Sequence, residues 1–182
     1  MSVINLLNER LQNKWSFDTT MKIQDEMIPA MIEGKDIVAE SPTGSGKTLA
    51  FMLPILNKVD GSKKKTQALV VAPSQELAMQ IVEVIRQWTE GTDITVQQLI
   101  GGANSARQIE KLKKKPTIVV GTPGRLNELA RQGKLKLREI ETVVLDECDQ
   151  LLSREYRVVV KSFIEDAAFG RQVVVVSATI TE

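Results

Sequence analysis

The octapeptide Ser41-Pro42-Thr43-Gly44-Ser45-Gly46-Lys47-Thr48 constrains this chain more than any other stretch. It follows a short apolar run, Asp36-Ile37-Val38-Ala39-Glu40, that reads as a strand. It precedes Leu49-Ala50-Phe51-Met52-Leu53, which reads as a helix. A strand, a glycine-rich turn ending in Gly-Lys-Thr and a helix form the context of a phosphate-binding P-loop. The glycines let the backbone turn tightly and aim its N–H groups inward. The helix N-terminus adds partial positive charge at the same point. In this reading Thr43, Gly44, Ser45 and Gly46 wrap the phosphates. Lys47 reaches the β- and γ-phosphates, and the Thr48 hydroxyl ligates Mg²⁺. The general pattern opens with Gly, and here Ser41 stands in its place. A purely structural Gly/Ser turn ahead of a helix is the alternative.

The length of 182 residues suits one domain with a substantial core. Hydrophobic residues make up 42% and charged residues 26%, an ordinary globular balance. A net charge of +1 does not announce nucleic acid, so any such surface must be a local patch. The single cysteine, Cys148, excludes an internal disulfide framework and fits a reducing, cytoplasmic setting. No apolar run approaches the roughly 20 residues of a membrane span. The N-terminus lacks the charged start and apolar centre of a signal peptide. The absence of histidine removes His-based catalysis and His metal ligation.

Along the chain, Val3, Leu6, Leu7 and Leu11 predict an amphipathic helix over Val3 to Lys14. Met21 to Ile32 predicts a second, with Gly34 as its stop. Strands are expected at Asp36–Glu40, Ala68–Ala72, Val96–Ile100, Thr117–Gly121, Thr142–Asp146 and Gln172–Ser177. Helices are expected over Gln75 to Trp88 with Ser74 as N-cap, Ser105 to Lys114, Gly124 to Arg131 and Tyr156 to Ala167. Strands alternate with helices, so the fold class is α/β, with a mostly parallel sheet and right-handed crossovers. The chain stops just after its last strand, which suggests a longer protein.

Val143-Val144-Leu145-Asp146-Glu147 is the second element that bears chemistry. An apolar strand ending in two acids is the usual companion of a P-loop. Asp146 can hold Mg²⁺ and Glu147 can orient and polarise an attacking water. The two elements together imply phosphoryl transfer to water.

At this point the chain resembles the DEAD-box RNA helicases, in seven short patterns that follow one order along almost its whole length. Phe17 through Gln24 is similar to the Q motif, and Ser41 to Thr48 to motif I. Pro73-Ser74-Gln75-Glu76-Leu77-Ala78 is similar to motif Ia. Gly101-Gly102 matches a glycine doublet, with Gln108 in the next helix. Thr122-Pro123-Gly124-Arg125 is similar to motif Ib. Asp146-Glu147-Cys148-Asp149 stands where the family's naming tetrad stands, and Ser177-Ala178-Thr179 where motif III stands.

The resemblance implies an N-terminal RecA-like domain over residues 1–182. Residues 1–34 would form a helical Q-motif segment and 35–182 a P-loop core, with the Ser177 strand between the P-loop strand and the Asp146 strand. It implies ATP with Mg²⁺, adenine being read by the Gln24 amide and stacked by Phe17. It implies RNA held by its backbone along Pro73, Gln75, Gly101, Gly102, Thr122, Pro123, Gly124 and Arg125, with Arg125 adding a charged contact. Asp149, Ser177 and Thr179 would couple hydrolysis to strand separation. A second, C-terminal RecA-like domain would supply an arginine finger, and the protein would act as a monomer that remodels or unwinds short RNA duplexes.

The chain departs from the family pattern at several points. Gln75 replaces an arginine of motif Ia. Thr20 replaces a proline of the Q motif, and no isolated aromatic stands further upstream. Cys148 replaces alanine, and Leu152 to Tyr156 lacks a glycine. Other readings remain beside the sharp ones. Lys63-Lys64-Lys65 and Lys111-Lys113-Lys114-Lys115 suit a nucleic-acid patch or a solvated surface. Phe17 suits a stacking ring or a core residue, and Trp15 and Trp88 suit packing. A P-loop ATPase acting on DNA or protein, or a non-catalytic RNA-binding module, would preserve much of the same pattern.

Overall fold

The computed structural model describes residues 2–42, 46–102 and 105–178. Six strands form one sheet: β1 (Ile37–Glu40), β2 (Ala68–Val71), β3 (Val96–Leu99), β4 (Ile118–Gly121), β5 (Thr142–Leu145) and β6 (Gln172–Ser177). Every pairing is parallel, in the order β1-β6-β5-β2-β4-β3. β6 lies between β1 and β5, the placement that the resemblance implied.

Four of the strands are apolar nearly throughout because helices cover both faces of a parallel sheet. The period-2 alternation of side chains sorts each strand between two cores. Ala68 and Val70 of β2 join a cluster with the N-terminal helices, while Leu69 and Val71 join the opposite one. On the first face lie α1 (Glu9–Lys14), α2 (Lys22–Ile32), α3 (Lys47–Lys58) and α4 (Gln75–Thr89). On the second lie α5 (Ser105–Leu112), α6 (Pro123–Arg131), α7 (Cys148–Leu151) and α8 (Arg157–Asp166). Leu11, Ile23, Met27, Ile28 and Met31 share the first cluster with Val174 and Val176 of β6. The first 34 residues therefore pack on the sheet itself.

The expected helix over Val3 to Lys14 divides in two. A single 3-10 turn covers Val3–Leu6, and α1 starts afresh at Glu9. Asn8 causes the break. Its side chain caps Leu11 N–H at 3.0 Å, and its own N–H donates to Asn57 Oδ1 at 2.7 Å. Leu6 is left exposed. Ser74 is the N-cap of α4 as expected, accepting from Leu77 N–H at 3.2 Å. The short α7 has no periodic signal in the sequence.

Gly121 closes β4 where the backbone comes nearest to β3. A Cβ there would lie 2.5 Å from the Leu99 carbonyl oxygen and 2.8 Å from Leu126 Cδ2. Gly121→Ala is expected to lower the unfolding free energy by about 3 kcal/mol through overpacking. Urea unfolding of the two chains checks it, and a change below about 0.5 kcal/mol would show that the strand yields at no cost.

Candidate functional site

Parallel strands bring their C-terminal ends to one edge, where the connections to the following helices converge. Along that edge stand Gly46 and Lys47 after β1, Pro73 to Gln75 after β2, Gly101 and Gly102 after β3, Thr122 to Arg125 after β4 and Asp146 to Asp149 after β5. Ser177 ends β6. Thr43, Gly44, Ser45 and Thr179 lie outside the described residues.

Lys47 opens α3 and turns its ammonium onto the acids beyond β5. Its Nζ lies 2.9 Å from Asp146 Oδ1 and 3.6 Å from Glu147 Oε1. The Asp146 side chain is fully buried and that of Lys47 is 11% exposed. Burial pushes the Asp146 carboxyl above the ordinary aspartate range, against the downward pull of the Lys47 hydrogen bond and charge. Asp146 Oδ1 also accepts from Glu147 N–H at 2.9 Å. Asp146 Oδ2 is buried with no hydrogen-bond partner among the described residues, so the aspartate has an acceptor to spare.

Glu147 adopts φ +49°, a left-handed backbone that costs a non-glycine residue about 1 kcal/mol or more. That turn separates the directions of the two acids, sending Asp146 inward and leaving Glu147 partly exposed. Gln150 Nε2 donates to Glu147 Oε2 at 3.2 Å. The sequence reading missed Gln150, although a glutamine three residues on faces Glu147 once the short α7 forms. A cavity of about 370 Å³ lies over these groups, lined in part by Phe17, Gly46, Lys47, Thr48, Trp88 and Glu147.

Gln24 is buried and both ends of its amide are engaged. Oε1 accepts from Met21 N–H at 2.9 Å and Nε2 donates to the Gly46 carbonyl at 3.3 Å. Gly46 has φ +78°, and a Cβ there would lie 2.7 Å from Gln24 Nε2. Phe17 is 56% exposed, its ring edge-on to Trp15 at 5.0 Å between centroids. It is therefore no core residue. Trp15 in turn packs against Trp88 at 6.4 Å.

On the other half of the edge, Gln75 Nε2 donates to the Gly101 carbonyl at 2.8 Å, tying the start of α4 to the glycine doublet. Arg125, to which the resemblance gives a charged contact with RNA, is engaged within the fold. It is 6% exposed and turned inward. Nε donates to Gln108 Oε1 at 2.9 Å, and Nη1 pairs with Glu128 Oε2 at 2.9 Å. Gln108 Nε2 donates to the Ile100 carbonyl at 3.0 Å, so Arg125 steadies the turn that carries Gly101. Pro123 at the first turn of α6 commits the chain to helix, position 125 falls on the face that packs inward, and Gln108 receives the guanidinium there. Cys148 is buried and its thiol is pushed up by burial, then by Asp149, which leaves it unreactive.

Ser177 ties the entry to the P-loop to the segment after the acids. Its carbonyl accepts from Ser41 N–H at 2.8 Å and its hydroxyl from Asp149 N–H at 3.3 Å.

Fold and site together define a RecA-like P-loop domain. The model of the DEAD/DEAH box helicase family matches residues 21–182. The chain is 46% identical over 173 residues to a probable ATP-dependent RNA helicase, YfmL, of Bacillus subtilis (strain 168), covering 93% of this chain and 46% of that one. It is 46% identical over 175 residues to the DEAD-box ATP-dependent RNA helicase CshC of Bacillus cereus, covering 94% and 45%. A crystal structure of a DEAD box protein from the hyperthermophile Methanococcus jannaschii superposes with a TM-score of 0.88 at 29% identity, covering 96% of this chain and 49% of that one. This chain belongs to the DEAD/DEAH box helicase family, and it spans about half the length of these relatives. Among the described residues no helix is long and apolar enough to cross a membrane.

Lys47→Ala is expected to lower the unfolding free energy by about 3 kcal/mol near neutral pH, because it leaves a buried carboxylate unpaired. The folded form holds the Asp146 proton more tightly than the unfolded chain does. Stabilisation from that proton is therefore present at low pH and lost as pH rises through the folded-state value. The penalty in Lys47→Ala should shrink on acidification from neutral pH and be largely rescued by adding Asp146→Asn. Urea unfolding across that range checks it; a penalty independent of pH and of Asp146 would rule out the pairing as its source.

Proposed function

We propose that this chain is the nucleotide-binding half of an ATP-dependent RNA helicase that hydrolyses ATP to remodel or unwind short RNA duplexes. The observation that carries the reading is the convergence of Lys47, Asp146 and Glu147 at the C-terminal edge of the sheet. Two relatives named ATP-dependent RNA helicases support it.

In this reading the N–H groups from Thr43 to Thr48 hold the phosphates, and Lys47 exchanges its carboxylate partners for β- and γ-phosphate oxygens. The donor set fits Mg²⁺, a hard cation that takes oxygen ligands. Asp146 has a buried oxygen without a partner among the described residues, and Thr48 lines the same cavity as Lys47. When bound, Mg²⁺ neutralises charge on the phosphate oxygens. Glu147 accepts a hydrogen bond from the attacking water and orients it, while Gln150 anchors its other oxygen.

Adenine recognition by Gln24 requires its amide to give up Met21 and Gly46 in exchange for the donor and acceptor on the base edge. The exposed face of Phe17 suits stacking. RNA phosphates would lie along the N-termini of α4 and α6, beside Pro73, Gln75, Gly101, Gly102, Thr122, Pro123 and Gly124, with Arg125 holding the glycine turn in place. Ser177 and Asp149, with Thr179, would pass the state of the nucleotide to that surface.

The reading takes the chain as one N-terminal domain, with residues 1–34 as its Q-motif segment and 35–182 as its P-loop core. It acts in the cytoplasm as a monomer, and a C-terminal RecA-like domain completes the site. In the full-length protein, Glu147→Gln is expected to cut ATP turnover by about 100-fold or more while leaving ATP binding within about threefold. Wild-type turnover in that variant would overturn the catalytic assignment. The 182-residue chain alone is expected to bind ATP with little RNA-stimulated turnover, and a rate equal to that of the full-length protein would refute the half-site reading.

A further inference from the structure

A second groove lies along the far edge of the sheet, away from the nucleotide cavity. β3 is the last strand there and, among the described residues, pairs with β4 alone. A cavity of about 580 Å³ runs along it, lined by Thr95 and by Val96, Gln97 and Gln98 of the strand, and walled by Arg86 of α4 and by α5. The Thr95 and Leu99 carbonyls accept from Ile118 and Thr122 N–H, so these alternate residues face β4. In a parallel ladder the residues between them turn their N–H and C=O groups the other way. Val96 and Gln98 thus present two donor–acceptor pairs to the open edge, about 6.7 Å apart.

The groove is positively charged. Arg86, Arg107, Lys111 and Lys114 line it, and among the described residues no carboxylate does. Glu110 of α5 is engaged with Lys113 at 3.0 Å. Among the described residues no carboxylate is ion-paired to Arg86, Lys111 or Lys114. Gln97 lines the groove while 7% exposed; its Nε2 donates to the Gln108 carbonyl at 2.8 Å, and its Oε1 is buried with no hydrogen-bond partner among the described residues.

We propose that this groove binds an acidic segment of a partner protein, docked in extended conformation as an added strand on β3. A peptide backbone answers both the N–H and the C=O groups of the open edge, whereas side-chain carboxylates meet the cations on either wall. RNA fits less well. Its phosphates are acceptors and would face the outward carbonyls, and among the described residues no aromatic ring lines the groove for a base to stack on.

The test uses the 182-residue chain and a labelled twelve-residue peptide alternating glutamate with valine and threonine. A control peptide of equal charge carries proline at every second apolar position, which removes strand pairing. Binding is expected to shift the backbone amide resonances of Val96 and Gln98. The proline control should bind at least tenfold more weakly, and so should the chain carrying R86E, K111E and K114E. These three side chains are exposed, and an unchanged circular dichroism spectrum verifies the fold of the variant. Equal binding of the proline control, or amide shifts that avoid β3, would overturn the docking mode. Displacement of the peptide by a twelve-nucleotide uridine strand would assign the groove to RNA instead. Concentration-dependent self-association lost in the charge variant would assign it to a second copy of the chain.

Discussion

The contact between Lys47 and Asp146 is the interaction on which the arrangement of this domain turns. The two residues are 99 positions apart in the chain and meet at 2.9 Å. They meet because β1 and β5 are parallel, lead to the same edge of the sheet and are separated by a single strand. A buried ion pair is a poor source of stability, since desolvation consumes much of what the Coulomb attraction returns. Its value here is positional. The pair holds a cation and two carboxylates in one small volume, where a polyanion with its counter-cation can replace each partner by another of the same sign.

The sheet was legible in the sequence for a simple reason. In a parallel sheet covered on both faces, strands become short uninterrupted apolar runs such as Ala68–Val71 and Thr142–Leu145, bounded by turn residues. The chemistry at the C-terminal edge was legible because Gly46, Lys47, Asp146 and Glu147 are residue types that few other roles require in that order. What escaped was set by contacts between distant segments. The break at Asn8 depends on Asn57, and the inward course of Arg125 depends on Gln108. The short α7 owes its start to the left-handed turn at Glu147, which no hydrophobic period announces. The engagement of Gln24 with Gly46 likewise belongs to the folded arrangement alone.

The departures from the family pattern acquire physical content in the same way. Gln75, in place of an arginine, carries no charge, yet its amide donates to the Gly101 carbonyl and joins two loops. Cys148, in place of alanine, fills buried space with a thiol kept protonated by its surroundings. Both substitutions leave the cluster around Lys47 intact.

Ser177 is a shared mount. One backbone oxygen carries the strand that leads into the P-loop, and one hydroxyl carries the segment after the acids. Because both arms hang from a single residue at the tip of the strand between β1 and β5, neither can travel far without drawing the other along. The gap between cation and carboxylates is in this sense gauged from below, by the sheet. A small shift of β6 would be felt at once on both sides of the site, which gives the two arms the means to respond as a unit.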